Sequence, residues 1–324
     1  MKPKSIVLLM LAMIFGCTKP HANLPLVAVA NYGPHASLQA SIDGMKEALA
    51  KLGYVENKTV RYEIQDVNFE PALIPQMIVN LKSKNPAVMV VITTPVAQLA
   101  KGMIKGIPLV YGVVTDPVDA GLLEKPNESS KNITGSSDRQ DLHAFLGFAK
   151  QILPKTTRVG LLYASSETND LTLVKMMKVA AKESNVQVLA VPVDSAREVP
   201  LAMQAFKNQV DVIYVGASGP IQPTLPVIAA VASKMQIPVM NVEASAVKEG
   251  LVLASFGVSY KKVGEGIGKL VAGVLRGEPI ANLKPIYPSI EDHHGVINFD
   301  QAKAFGLSSL RVDGGRHVKT KQFN

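Results

Sequence analysis

From Leu26 onward, short apolar runs alternate with longer amphipathic stretches, and the same succession occurs twice. In the first half, strand-like runs at 26–32, 60–67, 87–94 and 108–114 are separated by helix-like stretches at 37–54, around 70–84 and from Pro95 to about Lys105. In the second half, "RVGLLYA" (158–164) answers the first run, and a helix around 170–184 leads into "VQVLAVPV". "VDVIYVGASGP" (210–220) answers the third run and "IPVMNVEAS" (237–245) the fourth. Strands spaced by helices of roughly ten to fifteen residues form βαβ units and parallel sheets. The chain is therefore expected to be α/β, with two Rossmann-like lobes built alike. Its 324 residues, 47% hydrophobic, suffice for two well-filled cores.

The stretch "VVITTPVAQLA" (90–100) shows what such a repeat does at its end. Three strand formers run into two threonines and a proline, and then the period becomes helical. Proline suits the first helical position, which predicts Thr94 as the N-cap of a helix beginning at Pro95. Parallel sheets bind ligands beyond the carboxyl ends of their strands, and a helix N-terminus there favours an anionic group. The equivalent turn "GASGP" (216–220) is expected to face the same ligand from the second lobe.

The strand exits gather Asn31, Tyr32, His35, Thr94, Pro95, Thr115, Asp116, Ser137, Asp138, Ser165, Ser166, Glu167, Ser218 and Glu243. Hydroxyls beside a helix N-terminus suit a carboxylate, and Asp116, Asp138 or Glu243 can accept from an ammonium. The combination points to a zwitterion such as an amino acid. For Thr94, Ser165 and Ser166 a purely capping role stays open, as does a turn role for Asp116 before Pro117 and a plain loop role for His35.

The N-terminus carries a different signal. "MKPKSIVLLMLAMIFGC" has Lys2 and Lys4 followed by an apolar run from Ile6 to Phe15, too short for a span of about 20 residues. It is expected to direct export. Cys17, the one cysteine of the chain, follows Gly16 directly, and Ile14, Gly16 and Cys17 resemble a bacterial lipobox. Acyl chains on Cys17 are expected to hold the folded body at a membrane surface. A lone cysteine supplies neither a disulfide framework nor a thiolate metal site.

Several classes are disfavoured. The net charge is +8 without a dense basic stripe other than the tail "RVDGGRHVKTKQFN", so no nucleic acid is expected as a partner. No G-x-G-x-x-G follows a strand, and neither a phosphate-binding G-x-x-x-x-G-K-[ST] nor a G-x-S-x-G elbow occurs. No enzyme, cofactor or metal is expected. "EDHH" (291–294) reads as a solvated loop, because adjacent histidines on a strand would face opposite ways. With no tryptophan in the chain, a sugar-binding cleft is less favoured.

"ALAKLGYVENKTVRYEIQ", "ITTPVAQLAKGMIKGIPLVYGVVTDPVDAGLL", "NITGSSD", "ILPKTTRVGLLYASSE" and "KEGLVLASFGVSYKKVGEGIGKLVAGVLRGEPI" together resemble the ABC-transporter substrate-binding lipoproteins of the tryptophan/tyrosine uptake type, in the type 1 periplasmic-binding-protein superfamily. The likeness spans about residues 26–308. It implies two lobes joined by a three-segment hinge, closing on an amino-acid-like ligand, aromatic in the tryptophan/tyrosine type, for delivery to an ABC permease with its ATPase. A sensor that presents its ligand to a signalling partner would use the same fold, and an α/β enzyme is the remaining alternative. The implied lobes are 26–140 plus 252–280 and 141–251 plus 281–310, after a signal at 1–17 and a linker at 18–25, with a basic tail at 311–324. The implied crossings lie near 139–142, 246–254 and 278–285. Location follows as periplasm or cell surface, lipid-anchored. The pattern departs at Ala164, where Asn is expected, and at "GASG" and "NVEAS", which are less polar than expected.

Overall fold

The structure, a computed structural model, describes residues 24–193 and 195–307. The export signal, Cys17 and the basic tail at 311–324 lie outside the described residues.

The first lobe holds β1 (Leu26–Asn31), α1 (Ala36–Lys51), β2 (Arg61–Asp66), α2 (Ile74–Lys82), β3 (Val88–Ile92), α3 (Thr94–Met103), β4 (Leu109–Val114) and β5 (Ile133–Ser137). The chain then crosses to α4 (Leu142–Ile152), β6 (Arg158–Ala164), α5 (Thr168–Glu183), β7 (Gln187–Val193), α6 (Val199–Ala202), β8 (Val212–Val215), α7 (Leu225–Lys234), β9 (Val239–Asn241), α8 (Ala244–Lys248) and β10 (Ala254–Val258). It ends through α9 (Tyr260–Leu275), β11 (His293–Ile297) and α10 (Phe299–Ala304).

The sheets have the orders β2-β1-β3-β4-β5 and β11-β10-β9-β8-β6-β7. Reversed, the second reads β7-β6-β8-β9-β10, the same winding as the first, with β11 added antiparallel beside β10. The twofold pattern in the sequence is thus a twofold pattern in space. Central strands such as β1 and β3 are buried along their whole length, as parallel strands covered on both faces must be. The edge strand β2, "RYEIQD", has no fully buried residue, because it pairs on one side only.

Two helices are exchanged between the lobes. After β5, α4 packs Phe145, Leu146 and Phe148 into the second lobe's core with α5. After β10, α9 returns Val263, Ile267 and Val271 to the first lobe's core. There α9 lies directly on α1. A Cβ at Gly264 would sit 2.0 Å from the Ser41 carbonyl oxygen, and one at Gly44 would sit 2.2 Å from that of Lys261, so only glycine permits this spacing.

The strand pairing relocates two of the three expected crossings. Asp138–Asp141 forms the first, close to the expected place. The second lies at Ser259, not 246–254, because Ala254 and Ser255 pair with Met240 and Asn241 of β9 and so hold β10 in the second sheet. The third lies between Tyr287 and Asp292, not 278–285: Leu283 belongs to the first core, and Ile286 still bridges Ser136 of β5. "EDHH" is not a solvated loop either. His293 and His294 begin β11, and the buried His293 braces the hinge, accepting from the Asp141 amide at 2.9 Å.

Candidate functional site

The two sets of strand exits border a cleft whose empty volume, open mouth included, is about 540 Å³. Its first-lobe wall is made by the turn from β3 into α3. The helix begins one residue earlier than expected: Thr94 is its first residue and Thr93 occupies the capping position, without a capping side-chain bond. Thr93 has φ 84° and ψ 158°, a region that suits glycine and is costly for a β-branched residue. The turn is held by the Thr93 amide donating to Gly112 O at 2.9 Å and its carbonyl accepting from the Ala97 amide at 3.0 Å. Thr93 Oγ1 is buried and has no hydrogen-bond partner. Val113 at the end of β4 (φ 55°) and Phe69 (φ 62°) are two further non-glycine residues with positive φ, and both line the cleft. The first amides of α3 lack helical partners, so this wall offers donors and a partial positive charge.

The opposite wall offers acceptors. Asp138, at the first crossing, is 2% exposed, and its Oδ1 has no partner. Burial pushes its carboxyl up to about 6, although its own amide and the Tyr260 hydroxyl favour the charged form. On the second lobe, the buried Asp170 accepts from the Ala164 amide (2.6 Å), Ser218 Oγ (2.7 Å) and Asn169 Nδ2 (2.9 Å). Burial nonetheless pushes it up to about 7. This carboxylate organises the wall. It fixes the turn after β6 to the turn after β8 and turns Asn169 so that Oδ1, which has no partner, is its free end.

Contacts across the cleft hold the lobes together. Tyr32 donates to Glu167 Oε1 at 3.0 Å, Gln98 Nε2 donates to Thr168 Oγ1 at 3.3 Å, and Asp119 accepts from Thr172 (2.9 Å) and Lys175 (3.1 Å). His35 Nδ1 lies 3.6 Å from Glu243 Oε1. Burial raises the Glu167 carboxyl above its usual range, against hydrogen bonds from Tyr32, Asn169 and the Gly219 amide. The Tyr32 hydroxyl is held well above the usual tyrosine range by burial and by the neighbouring Glu167. Phe69 meets the Tyr32 ring edge to face, with centroids 5.5 Å apart.

Of the residues expected from the sequence, Tyr32, His35, Thr94, Pro95, Thr115, Asp138, Glu167, Ser218 and Glu243 line this cleft. Five others lie elsewhere. Asn31 folds back on its own turn, donating to Gly33 O and accepting from the Tyr32 amide. Asp116 pairs with Arg139 and caps the Val118 and Asp119 amides, bordering a separate groove behind the hinge. Ser137 Oγ donates to Val114 O at 2.7 Å and accepts from the Arg139 amide. Ser165 and Ser166 form the exposed turn after β6. "GASGP" does not open a helix: α7 begins only at Leu225, after a 3-10 turn, and Ser218 is engaged with Asp170. The second lobe therefore presents side-chain acceptors where a second helix N-terminus was expected. Sequence reasoning missed Phe69, Thr93, Asn169, Gln222 and Tyr260. For Thr93 the doubled threonine was a signal. Tyr260 carries one only once the second crossing is placed directly before it.

The lining residues include the carboxylates Asp138, Glu167 and Glu243, and neither lysine nor arginine. Among the described residues no group of His, Cys, Asp and Glu is arranged to hold a metal ion. The site is one of shape, hydroxyls and paired charge.

Comparison with known proteins agrees with this geometry. The chain is 27% identical to a tyrosine-binding protein of Clostridioides difficile over 91% of this chain and 85% of that one. It superposes on the ABC domain of a Streptococcus pneumonia protein in complex with L-Trp with a TM-score of 0.86, at 24% identity, covering 93% of this chain and 100% of that one. A ligand-free, open structure of a substrate binding protein with adhesive properties from Clostridium difficile gives 0.71 at the same identity and coverage. Residues 26–309 match the family described as ABC transporter substrate binding protein, and the chain belongs to that family.

Proposed function

We propose that this ABC transporter substrate-binding protein captures an aromatic amino acid of the tryptophan or tyrosine type and presents the closed form to a permease coupled to an ATPase. The observation that carries the reading is a cleft with a donor wall and an acceptor wall. Thr93 Oγ1 and the first amides of α3 suit a carboxylate, and the orphaned Asp138 Oδ1 suits an ammonium. Leu38, Phe69, Pro95 and Val113 supply apolar surface for a ring between them. The ligand names of the similar proteins support the same class.

The chemistry needed is non-covalent, and the protein acts without catalysing a reaction. A ligand that touches both walls binds the closed arrangement better than the open one, and shifts the population by that difference. Tyr32–Glu167 and the other bonds across the cleft then form together with the ligand contacts. The pocket residues proposed for the ligand are Thr93, Thr94, Asp138, Asn169 and Glu243, with Tyr32 and Phe69 as ring neighbours.

A thermal-shift and calorimetric screen of the domain starting after Cys17, against the twenty amino acids, short peptides, nucleosides and sugars, tests the reading. At a ligand concentration about a hundred times Kd, a stabilisation of about 2.7 kcal/mol raises the midpoint by roughly 5 to 10 °C. A selective rise with tryptophan or tyrosine is expected, and a rise confined to sugars or nucleosides refutes it. Export and acylation at Cys17 are part of the proposal. They rest on the Ile14–Gly16–Cys17 pattern after the apolar run, and intact-mass analysis of the membrane fraction, compared with Cys17→Ala, checks them.

A further inference from the structure

Asn169 is 8% exposed, sits in the cleft wall at the start of α5, and has an Oδ1 atom with no hydrogen-bond partner. Its orientation is not arbitrary. Nδ2 is held 2.9 Å from Asp170 Oδ1, and Asp170 is itself tied to Ala164 and Ser218. Nδ2 also faces the Ala217 carbonyl oxygen at 3.5 Å, which can only accept, so reversing the amide would set two acceptors against each other and the carbonyl end is the one presented. A buried acceptor left without a donor is unfavourable, and a ligand donor removes that cost.

The other acceptors differ from it in kind. Asp138 carries a formal charge, as a buried ammonium requires of its partner. Glu167 already accepts from Tyr32, and Glu243 lies beside His35. Asn169 has no formal charge, and its natural partner is a neutral N–H or O–H. Between the acceptors the lining is apolar and partly aromatic, with Phe69, Leu38, Val113 and Pro223.

We infer that the ligand carries, in addition to its ammonium group, an uncharged hydrogen-bond donor on its ring, and that Asn169 Oδ1 accepts from it. The inference rests on the amino-acid reading above and narrows it to phenolic or N–H-bearing aromatic amino acids. Asn169 is then a specificity-determining residue that discriminates against phenylalanine.

The test uses matched ligands. Tyrosine is compared with phenylalanine, and tryptophan with its benzothiophene analogue, in which sulfur replaces the ring N–H. Affinities are measured by calorimetry, with ligand fluorescence as a second readout for tryptophan, since the protein contains no indole of its own. In the unaltered protein the donor-bearing member of each pair is expected to bind about tenfold tighter or more, the factor for an unpaired buried acceptor. In Asn169→Leu that ratio is expected to fall close to one. A ratio below about fivefold in either pair overturns the inference while leaving the amino-acid reading intact. A full ratio retained in a folded Asn169→Leu overturns the assignment to this residue. If no aromatic amino acid binds at all, the amino-acid reading itself fails and takes this inference with it. Because Nδ2 also braces Asp170, the variant's circular dichroism is checked first, and the ligand pairs in the unaltered protein can overturn the inference without it.

Discussion

Replacing Thr93 by glycine is expected to stabilise the ligand-free protein relative to replacing it by alanine, reversing the usual order of these residues. Thr93 sits at φ 84°, ψ 158°, where a Cβ crowds the neighbouring backbone. Conformations of this kind cost about 1–3 kcal/mol for a residue with a side chain. Alanine keeps the Cβ and with it the strain. Glycine removes it, and loses about 0.5–1 kcal/mol through the greater freedom of its unfolded chain. The balance favours glycine by about 0–2.5 kcal/mol, centred on about 1.25 kcal/mol, which corresponds to about 2–5 °C in unfolding midpoint for a protein of this size. Both substitutions remove the unpartnered hydroxyl, so both are expected to weaken binding of a carboxylate-bearing ligand, and Thr93→Ser to retain it. Urea and thermal unfolding of the three ligand-free variants, followed by calorimetry with tryptophan, read both effects. If Thr93→Ala is more stable than Thr93→Gly, the residue is not strained in solution and the argument is wrong.

Three further outcomes are expected. Gly264→Ala drives a methyl group into the Ser41 carbonyl and is expected to cost about 1–3 kcal/mol by separating α9 from α1, read as a lower urea midpoint; an unchanged midpoint refutes the close packing. Tyr32→Phe removes a bond that exists only when the lobes are together, and is expected to weaken ligand affinity by about tenfold; unchanged affinity refutes its role as a latch. Asp138 and Asp170, raised to about 6 and about 7, hold protons in the folded state that the unfolded chain releases near pH 4. Their contribution to ligand-free stability therefore falls as pH rises from about 4 to 7 and is level above that. Urea midpoints of the parent and Asp138→Asn at pH 5 and 8 check this, the variant showing the smaller decline. Affinity for an ammonium-bearing ligand has the opposite trend, rising as pH rises through about 6, because the ionised Asp138 is the form that binds.

The alternation of strands and helices carried the architecture into the sequence, down to the shared winding of the two sheets. Buried parallel strands are plain to read because both faces must be apolar. The crossings were harder. "LVLASFGV" is apolar whichever sheet it joins, and only its pairing with Met240 and Asn241 assigns it. The lining of the cleft was legible where a strand exit sufficed, as at Asp138, Glu167 and Glu243. It was misread where a residue breaks a local rule. A proline next to threonine predicts a regular cap, and nothing in the composition reveals that Thr93 takes up a glycine-like backbone. Asn169 escaped notice because its importance depends on which of its amide atoms Asp170 holds, a relation set by tertiary structure.

The exchange of α4 and α9 has a consequence for the order of folding. The first lobe's strands are complete at Ser137, yet its core draws on Val263, Ile267, Val271 and Leu283. A nascent chain that has emerged only as far as β5 exposes the surface that α9 will cover, and cannot close that lobe for more than a hundred further residues. The lobes are therefore neither successive modules nor separable ones. A fragment ending at Gln140 lacks a helix of its own core, and its missing half is the remainder of the chain. The contact of Gly264 with Ser41 joins segments far apart in the sequence, so the first lobe's core is completed by a long-range pairing.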